Sequence, residues 1–513
     1  MIKDKKIKRS SHPVMFFIYI SLLVIILSGL LSALNIQVTY NKLTTIIGEV
    51  ESTTTTVNSL ISLDGFKFLL TSLYDNLISF APFGSLLMAA IAFGIALKSG
   101  FLKTLCNKMT NKIPKFIVVF LYSLLCIIVS VDGNLGYVLL LPFGAILFMS
   151  MNRNPIGGLA LGFSSLSMGH GAGLFINSLD YNLSSYTEAS AKLLDTDYVV
   201  SQSSNIIFII VASIIIAAIS TFITERFIVR KLGRNQFEEE EEIIVEEQSE
   251  KKGLIGALIA TVILLIPFIL MIIPSSKDGF IGLLLDKSQT LYSKMLFSSD
   301  SLLMDNLVGI VSILLILQGF IYGVITGTIK KIRDLVNFST DYLKTVGGIF
   351  VLIFFAAQLS AIIKESNLGV VITASLSNLI EASEFAFIPL VILLFFVTML
   401  CNIIAPQSVA KWSILAPNIM STIMKANITP EFAQIIFRAG DSVTNIITPV
   451  FSYFVIFIGF VEVYTKNKND FSIRNCYKTI LPYFFAVGLV WLILIICWYV
   501  IGLPVGPGIY PAV

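Results

Sequence analysis

Charge is scarce in this sequence. Only 13% of its 513 residues are Asp, Glu, Lys or Arg, against about 25% in ordinary soluble chains. That shortfall excludes a water-soluble globular fold of this length. Histidine is scarcer still, with His12 and His170 alone. An active site of paired histidines, or of a nucleophile beside a base, has little to draw on. No GxxxxGK[ST] loop occurs, so ATP is not the direct energy source. The five cysteines (Cys106, Cys126, Cys401, Cys476, Cys497) form no CxxC pair and lie in or beside apolar stretches, where they read as soft packing residues. A net charge of +3 offers no basic excess for nucleic acid. The chain is therefore not expected to be an enzyme, to hold a cofactor other than a coupling ion, or to bind nucleic acid.

What is present is hydrophobic: 56% of the chain. Apolar runs at 14–34, 206–223, 254–273 and 480–501 each approach the roughly twenty residues that span a bilayer as a helix. They do not alternate as the strands of a barrel would. The first run is too long for a signal-peptide core and lacks a small-residue cleavage site, so it is expected to be retained. The predicted class is an all-α polytopic membrane protein embedded in the lipid bilayer.

Basic residues flank these runs and orient them. Lys3, Lys5, Lys6, Lys8 and Arg9 place the N-terminus in the cytoplasm. The stretch 1–78 then reads as a first helix and an outer loop. A helix at about 79–97 returns to Lys98, Lys103, Lys108, Lys112 and Lys115. Two short apolar segments come next within 116–150, split by Ser130-Val131-Asp132-Gly133-Asn134 and basic at both outer ends. They read as a re-entrant hairpin opening to the cytoplasm. The next span, 156–178, is interrupted by Ser167-Met168-Gly169-His170-Gly171-Ala172-Gly173 and is expected to be a broken helix. A polar outer loop and a helix at about 204–225 complete a unit at 79–228. The acidic stretch 229–252 reads as a cytoplasmic tether, and 253–343 as intervening scaffold helices.

The order helix, hairpin, broken helix, helix then recurs at 344–513. Its hairpin, 386–424, opens outward around Asn402-Ile403-Ile404-Ala405-Pro406-Gln407-Ser408. Its broken helix, 431–463, is interrupted near Arg438-Ala439-Gly440-Asp441 and Thr448-Pro449. The last helix puts the C-terminus outside. Nine spans and two hairpins satisfy the charge pattern. Two units of opposite orientation form the inverted repeat of secondary transporters, whose substrate site lies at the midplane. A channel would not need two broken helices.

Charges at membrane depth are costly unless paired or hydrated. Arg438 and Asp441 lie one turn apart in an apolar span. They are either a mutual ion pair or a site in which Arg438 meets an anionic group while Asp441 orients it or helps hold a cation. Asp132 and Asn134 at the first tip, and Asn402 and Ser408 at the second, are turn formers or ligand contacts. Trp412 is an interface anchor or a stacking platform. His170 is a proton carrier or a helix-break residue bonded to backbone. Asn402, Asp441 and Asn445 are candidate Na⁺ ligands, and such neutral oxygens with one or two carboxylates favour Na⁺ over H⁺ as the coupling ion.

The residues 80–225 and 350–507 resemble the AbgT family of p-aminobenzoyl-glutamate transporters. The most specific stretches are Ala410-Lys411-Trp412-Ser413-Ile414-Leu415-Ala416-Pro417 and Arg438-Ala439-Gly440-Asp441-Ser442-Val443-Thr444-Asn445-Ile446-Ile447-Thr448-Pro449. Arg153-Asn154-Pro155-Ile156-Gly157-Gly158 and Leu135-Gly136-Tyr137-Val138 are also similar. The resemblance implies a homodimer in the inner (plasma) membrane that carries a small anionic solute on an H⁺ or Na⁺ gradient. It implies either import of p-aminobenzoyl-glutamate or export of sulfonamide-like antimetabolites. It places Asn402, Trp412, Arg438, Asp441 and Pro449 on site positions. Asn134 stands where the family usually has Asp, and Val409 where it has Ser.

The charge pattern makes a checkable statement about orientation. A cysteine introduced between Gln236 and Lys252 should stay unlabelled by an impermeant thiol reagent on intact cells, and one beyond Gly502 should be labelled. The reverse pattern would overturn the assigned topology.

Overall fold

Hydrocarbon offers no partner to a peptide N–H or C=O, so a spanning segment must close its own hydrogen bonds. The computed structural model of the protein describes residues 12–43, 50–130, 133–235, 246–275, 279–298, 301–466 and 471–512. It meets the demand with helix, which makes up 74% of it. Seven of the nine expected spans are continuous helices: Pro13–Ala33, Ala81–Lys98, Ile206–Leu232, Glu247–Met271, Leu302–Thr326, Ile332–Glu365 and Ile473–Ile501. The other two are interrupted. Pro155–Met168 stops at Gly169, and Pro430–Asn445 is separated by a turn from Phe454–Val463. Proline at the first position starts both interrupted helices, where its missing N–H costs no hydrogen bond and its ring presets φ.

Two segments double back. Lys115–Val129 leads into Gly133–Ser150, and Phe387–Ile404 leads into Ser408–Lys425. The limbs of each pair do not mainly pack on one another. In each copy both limbs lie against the interrupted helix next in the chain, and the two interrupted helices also touch. The two hairpins are thus linked through the two interrupted helices. A π-helical turn at Gly136–Leu140 disturbs the second limb of the first hairpin, as often happens beside functional sites.

The structure adds elements where the sequence reads as loop. The segment after the first helix forms an antiparallel ribbon, β1 (Gln37–Leu43) with β2 (Val50–Thr56). A run of β-branched Thr53 to Thr56 favours strand. Asn418 docks the ribbon, accepting from Asn41 N at 2.8 Å and donating to Asn41 O at 3.0 Å. The expected polar loop after the first break contains the helix Ser178–Ala191, started by a reciprocal Asn177–Asp180 capping box. The Lys-rich stretch is the amphipathic helix Phe101–Lys112. The helix expected to open the second unit at 344 begins at Ile332 and runs 34 residues. A further helix, Leu368–Glu381, precedes the second hairpin. Of the acidic stretch 229–252, residues 236–245 lie outside the described residues, and its last residues already belong to Glu247–Met271.

Close backbone approach fixes the first hairpin. A Cβ on Gly158 would overlap the Gly144 carbonyl, and one on Gly144 or Gly162 would overlap the Tyr122 hydroxyl. That hydroxyl donates to Leu140 O at 2.9 Å. Overpacking of this kind costs about 1–3 kcal/mol. Gly158→Val should therefore lower the melting temperature of the purified protein, whereas Gly84→Ala, whose Cβ would meet nothing within 4 Å, should leave it unchanged or raised.

Candidate functional site

Spacing on the second interrupted helix builds the centre. Arg438, Asp441 and Asn445 succeed one another at three and four residues, which puts them on one helical face. All sixteen residues of Pro430–Asn445 are buried, so each charge must find a partner inside the protein. Arg438 and Asp441 do not pair with each other. Arg438 Nη1 donates to Asp180 Oδ1. Asp441 Oδ1 accepts from Lys411 Nζ, and its Oδ2 accepts from Ser408 Oγ at 2.5 Å.

The first pair ties the second interrupted helix to Ser178–Ala191. Asp180 also closes its own capping box, its Oδ2 accepting from Asn177 N at 3.0 Å. The guanidinium is only partly used. Its Nε and Nη2 have no hydrogen-bond partner among the described residues, although Arg438 is 2% exposed. Asn177 Nδ2, on the residue that shares the capping box with Asp180, is also buried and unpartnered among them. The Nε–Nη2 edge presents two parallel N–H groups, the fork that a carboxylate accepts bidentately. A buried unsatisfied donor costs about 1–3 kcal/mol, a deficit that an arriving anion would relieve.

The second pair joins the tip of the second hairpin to the same helix. Asn402 Nδ2 donates to Asp441 O at 2.7 Å, Thr444 Oγ1 at 3.0 Å and Asn445 Oδ1 at 2.8 Å. Asn402 Oδ1 accepts from Lys411 Nζ. Asn402, Ser408, Asp441 and Asn445 therefore meet in one network. As a Na⁺ site this set does not fit. The side-chain oxygens of Asn402 and Asn445 and both Asp441 carboxylate oxygens already accept hydrogen bonds, and the Lys411 ammonium takes the place of a cation.

Other expected residues lie around this centre. The first break crosses the second interrupted helix so closely that a Cβ on Gly171 would stand 2.6 Å from Ser442 Oγ and 2.7 Å from Arg438 O. Only glycine permits that crossing. His170 Nδ1 lies 3.1 Å from Ser130 O, which bonds the ring to backbone at the first tip. Asn134 accepts from Tyr453 Oη at 3.0 Å, and Tyr453 stacks on Tyr137 with ring centroids 4.2 Å apart. Asp132 lies outside the described residues. Pro449 sits in the turn after Asn445, beside Thr448, whose hydroxyl donates to Ile403 O at 2.6 Å. Trp412 is fully buried. Its ring lies 4.6 Å from that of Phe437, and its Nε1 donates to Thr187 Oγ1 at 2.9 Å. One surface of the indole is already taken by protein.

The sequence reading missed Lys411, Asp180 and Asn177. Lys411 had a signal: a lone cation in the apolar run 409–417 needs a function or a partner. Asp180 and Asn177 showed only the pattern of a helix start, which does not reveal that a guanidinium crosses above them.

Breaking one partner of a buried pair costs about 3–5 kcal/mol, because the other charge is left uncompensated. Lys411→Met should markedly lower the melting temperature, and Lys411→Met combined with Asp441→Leu should recover most of it. If the pair also serves the transport cycle, the stable double variant will remain inactive in uptake. A fully active double variant would make the pair purely structural.

Comparison with known proteins gives the family. Residues 6–513 match the model described as "AbgT putative transporter family". The p-aminobenzoyl-glutamate transport protein of Escherichia coli (strain K12) is 28% identical over 501 residues, covering 98% of this chain and 94% of that protein. The crystal structure of the Alcanivorax borkumensis YdaH transporter is 28% identical over 97% of this chain and 100% of that one, with a TM-score of 0.49. Neisseria gonorrhoeae MtrF, described with a class of antimetabolite efflux pumps, is 30% identical over 97% of both chains, also with a TM-score of 0.49. The chain belongs to the AbgT family of transporters.

Proposed function

We propose that this protein is a secondary carrier of a small anionic solute of the p-aminobenzoyl-glutamate type. It works as a homodimer in the inner membrane, with its N-terminus in the cytoplasm and its C-terminus outside. The observation that carries the reading is the Nε–Nη2 edge of Arg438, without a partner among the described residues and buried where the first break and the helix Ser178–Ala191 meet the second interrupted helix. A carboxylate there gains two charge-assisted bonds, with Asn177 Nδ2 as an additional donor beside the Asp180 end of the site. The relative named as a p-aminobenzoyl-glutamate transport protein supports an aryl-amide dicarboxylate as the cargo. The efflux class named for MtrF, 30% identical in sequence, supports export of sulfonamide-like antimetabolites as the second reading.

For the driving ion we favour the proton. Lys411 supplies the positive charge that the Asn402–Asp441–Asn445 set would otherwise take from Na⁺. Asp132, two residues before Asn134 in the sequence, is then our candidate proton carrier, since Asn134 has no carboxyl to titrate.

Uptake of labelled p-aminobenzoyl-glutamate into proteoliposomes tests the whole reading. A pH gradient without Na⁺ should drive accumulation, and a Na⁺ gradient at equal pH should not. Asp132→Asn should abolish the pH-driven component. A charge-assisted hydrogen bond contributes about 1.5–3 kcal/mol. Arg438→Lys, which replaces a fork by a point charge, should therefore raise KM by roughly 10- to 100-fold, and Arg438→Ala should reduce uptake to background. Full activity of correctly inserted Arg438→Ala would remove this residue from the site. Accumulation driven by Na⁺ alone would refute the proton reading.

A further inference from the structure

We propose that the protein carries a binding site for the headgroup of an anionic phospholipid where the outer ends of the first hairpin meet the end of helix Ile206–Leu232. A cavity of about 510 Å³ opens there, lined in part by Lys115, Asn152, Arg153, Arg230, Gly233 and Arg234. It lies apart from the Arg438–Lys411 centre and shares no residue with it.

The cavity has a built floor. Arg153 and Arg234 face each other in an isolated antiparallel β-bridge. Asn154 N donates to Gly233 O, and Asn154 Nδ2 to Leu232 O, both at 3.4 Å. Two left-handed residues, Asn152 at φ 58° and Gly233 at φ 75°, turn the chain sharply enough to bring these strands of backbone together. Lys115 Nζ is anchored on Met151 O at 3.0 Å. Arg153 is held in a two-pronged pair with Glu225, at 2.6 and 2.9 Å. The hairpin and the helix end are thereby fixed to each other.

The charge of this floor is unbalanced. Four cationic side chains line the cavity, and one carboxylate, Glu225, answers one of them. Lys115 is bonded to a neutral carbonyl and makes no ion pair among the described residues. Arg230 and Arg234 make no ion pair among the described residues, and both are exposed. Three cations thus face a space large enough for a phosphate group. Such a cluster repels itself unless an anion joins it.

The walls select the source of that anion. Phe116 and Ile117, 55% and 44% exposed, come directly after Lys115, and Phe227, 55% exposed, precedes Arg230 by one helical turn. In a membrane-spanning chain these side chains face acyl groups. Basic residues directly beside lipid-facing aromatic and aliphatic ones match a molecule with a phosphate head and hydrocarbon tails. Basic pockets between helix ends on the cytoplasmic side take anionic headgroups for this reason. Bound there, the lipid would fasten the first hairpin to the neighbouring span through Arg230 and Arg234, as Glu225 does through Arg153.

The test uses the purified full-length protein in mixed micelles. Cardiolipin or phosphatidylglycerol should raise the melting temperature by about 3 °C or more at saturating lipid, and phosphatidylcholine should not. Arg230→Gln/Arg234→Gln should match the wild type in phosphatidylcholine and lose the shift. Arg230→Lys/Arg234→Lys should keep most of it, which separates loss of charge from loss of fold. An equal shift with phosphatidylcholine, or an undiminished shift in the Gln variant, would overturn the proposal. The same shift with inorganic phosphate alone would assign the cavity to a soluble anion instead. The run Glu238 to Glu242 begins four residues after Arg234. If anionic lipid shifts the protein only after these five are changed to Gln, the occupant is this acidic run and the lipid reading fails.

Discussion

Buried charge is the constraint around which this molecule is arranged. Lys411, Arg438, Asp180 and Asp441 are each at most 2% exposed, in a chain whose outer surface meets hydrocarbon. None of the four would be tolerable alone at that depth. The Arg438–Asp180 pair requires the helix Ser178–Ala191 to lie over the second interrupted helix. The Lys411–Asp441 pair requires the second hairpin to press its tip against the same helix. The first pair therefore fixes the second repeat against the chain segment that leaves the first break, and the second closes the second repeat on itself.

The convergence is largely polar, and this distinguishes it from the surrounding core. Away from the tips, packing is carried by stacked and edge-on rings such as Phe163 with Phe457, 4.5 Å apart, and by glycines that let backbones touch. At the tips, Asn402, Ser408 and Thr448 bond to backbone or to a carboxylate across the interruptions. Apolar packing has no preferred partner atom, whereas these bonds fix register residue by residue. Interrupting a helix inside the protein frees the backbone groups that make this possible, and they are tolerated because protein surrounds them. One donor set is left over, the Nε–Nη2 edge of Arg438. Together with Asn177 Nδ2, also without a partner among the described residues, that surplus points to a place for an anion.

Much of this was legible in the residues. Twenty-residue apolar runs and their basic flanks identified the spans because hydrophobic length is a one-dimensional property. The interruptions at Gly169 to Gly173 and Thr448–Pro449 were readable because glycine and proline act on their own backbone. Arg438, Asp441, Asn445 and Asn402 stood out as polar groups in apolar surroundings. The ribbon Gln37–Thr56 and the helix Ser178–Ala191 were not read, since both are short, polar and held by contacts with distant helices. The pairing was not legible either. Arg438 and Asp441, one turn apart, are each other's obvious partners in sequence, yet each is answered from elsewhere, 258 residues away in the case of Asp180 and 30 residues away for Lys411.

What the sequence by itself determined is the membrane class, the family, the number and order of the hydrophobic segments, and which polar residues had to be accounted for. These come from composition and from periodicities along the chain. Tertiary structure alone decided which charge neutralises which, that a lysine fills the place considered for Na⁺, that one edge of Arg438 is unmet, and that Lys115, Arg230 and Arg234 share a cavity. The reason is physical: a charge buried in low dielectric is defined by the atoms within a few ångströms of it, and folding brings those atoms from parts of the chain whose separation the sequence cannot measure.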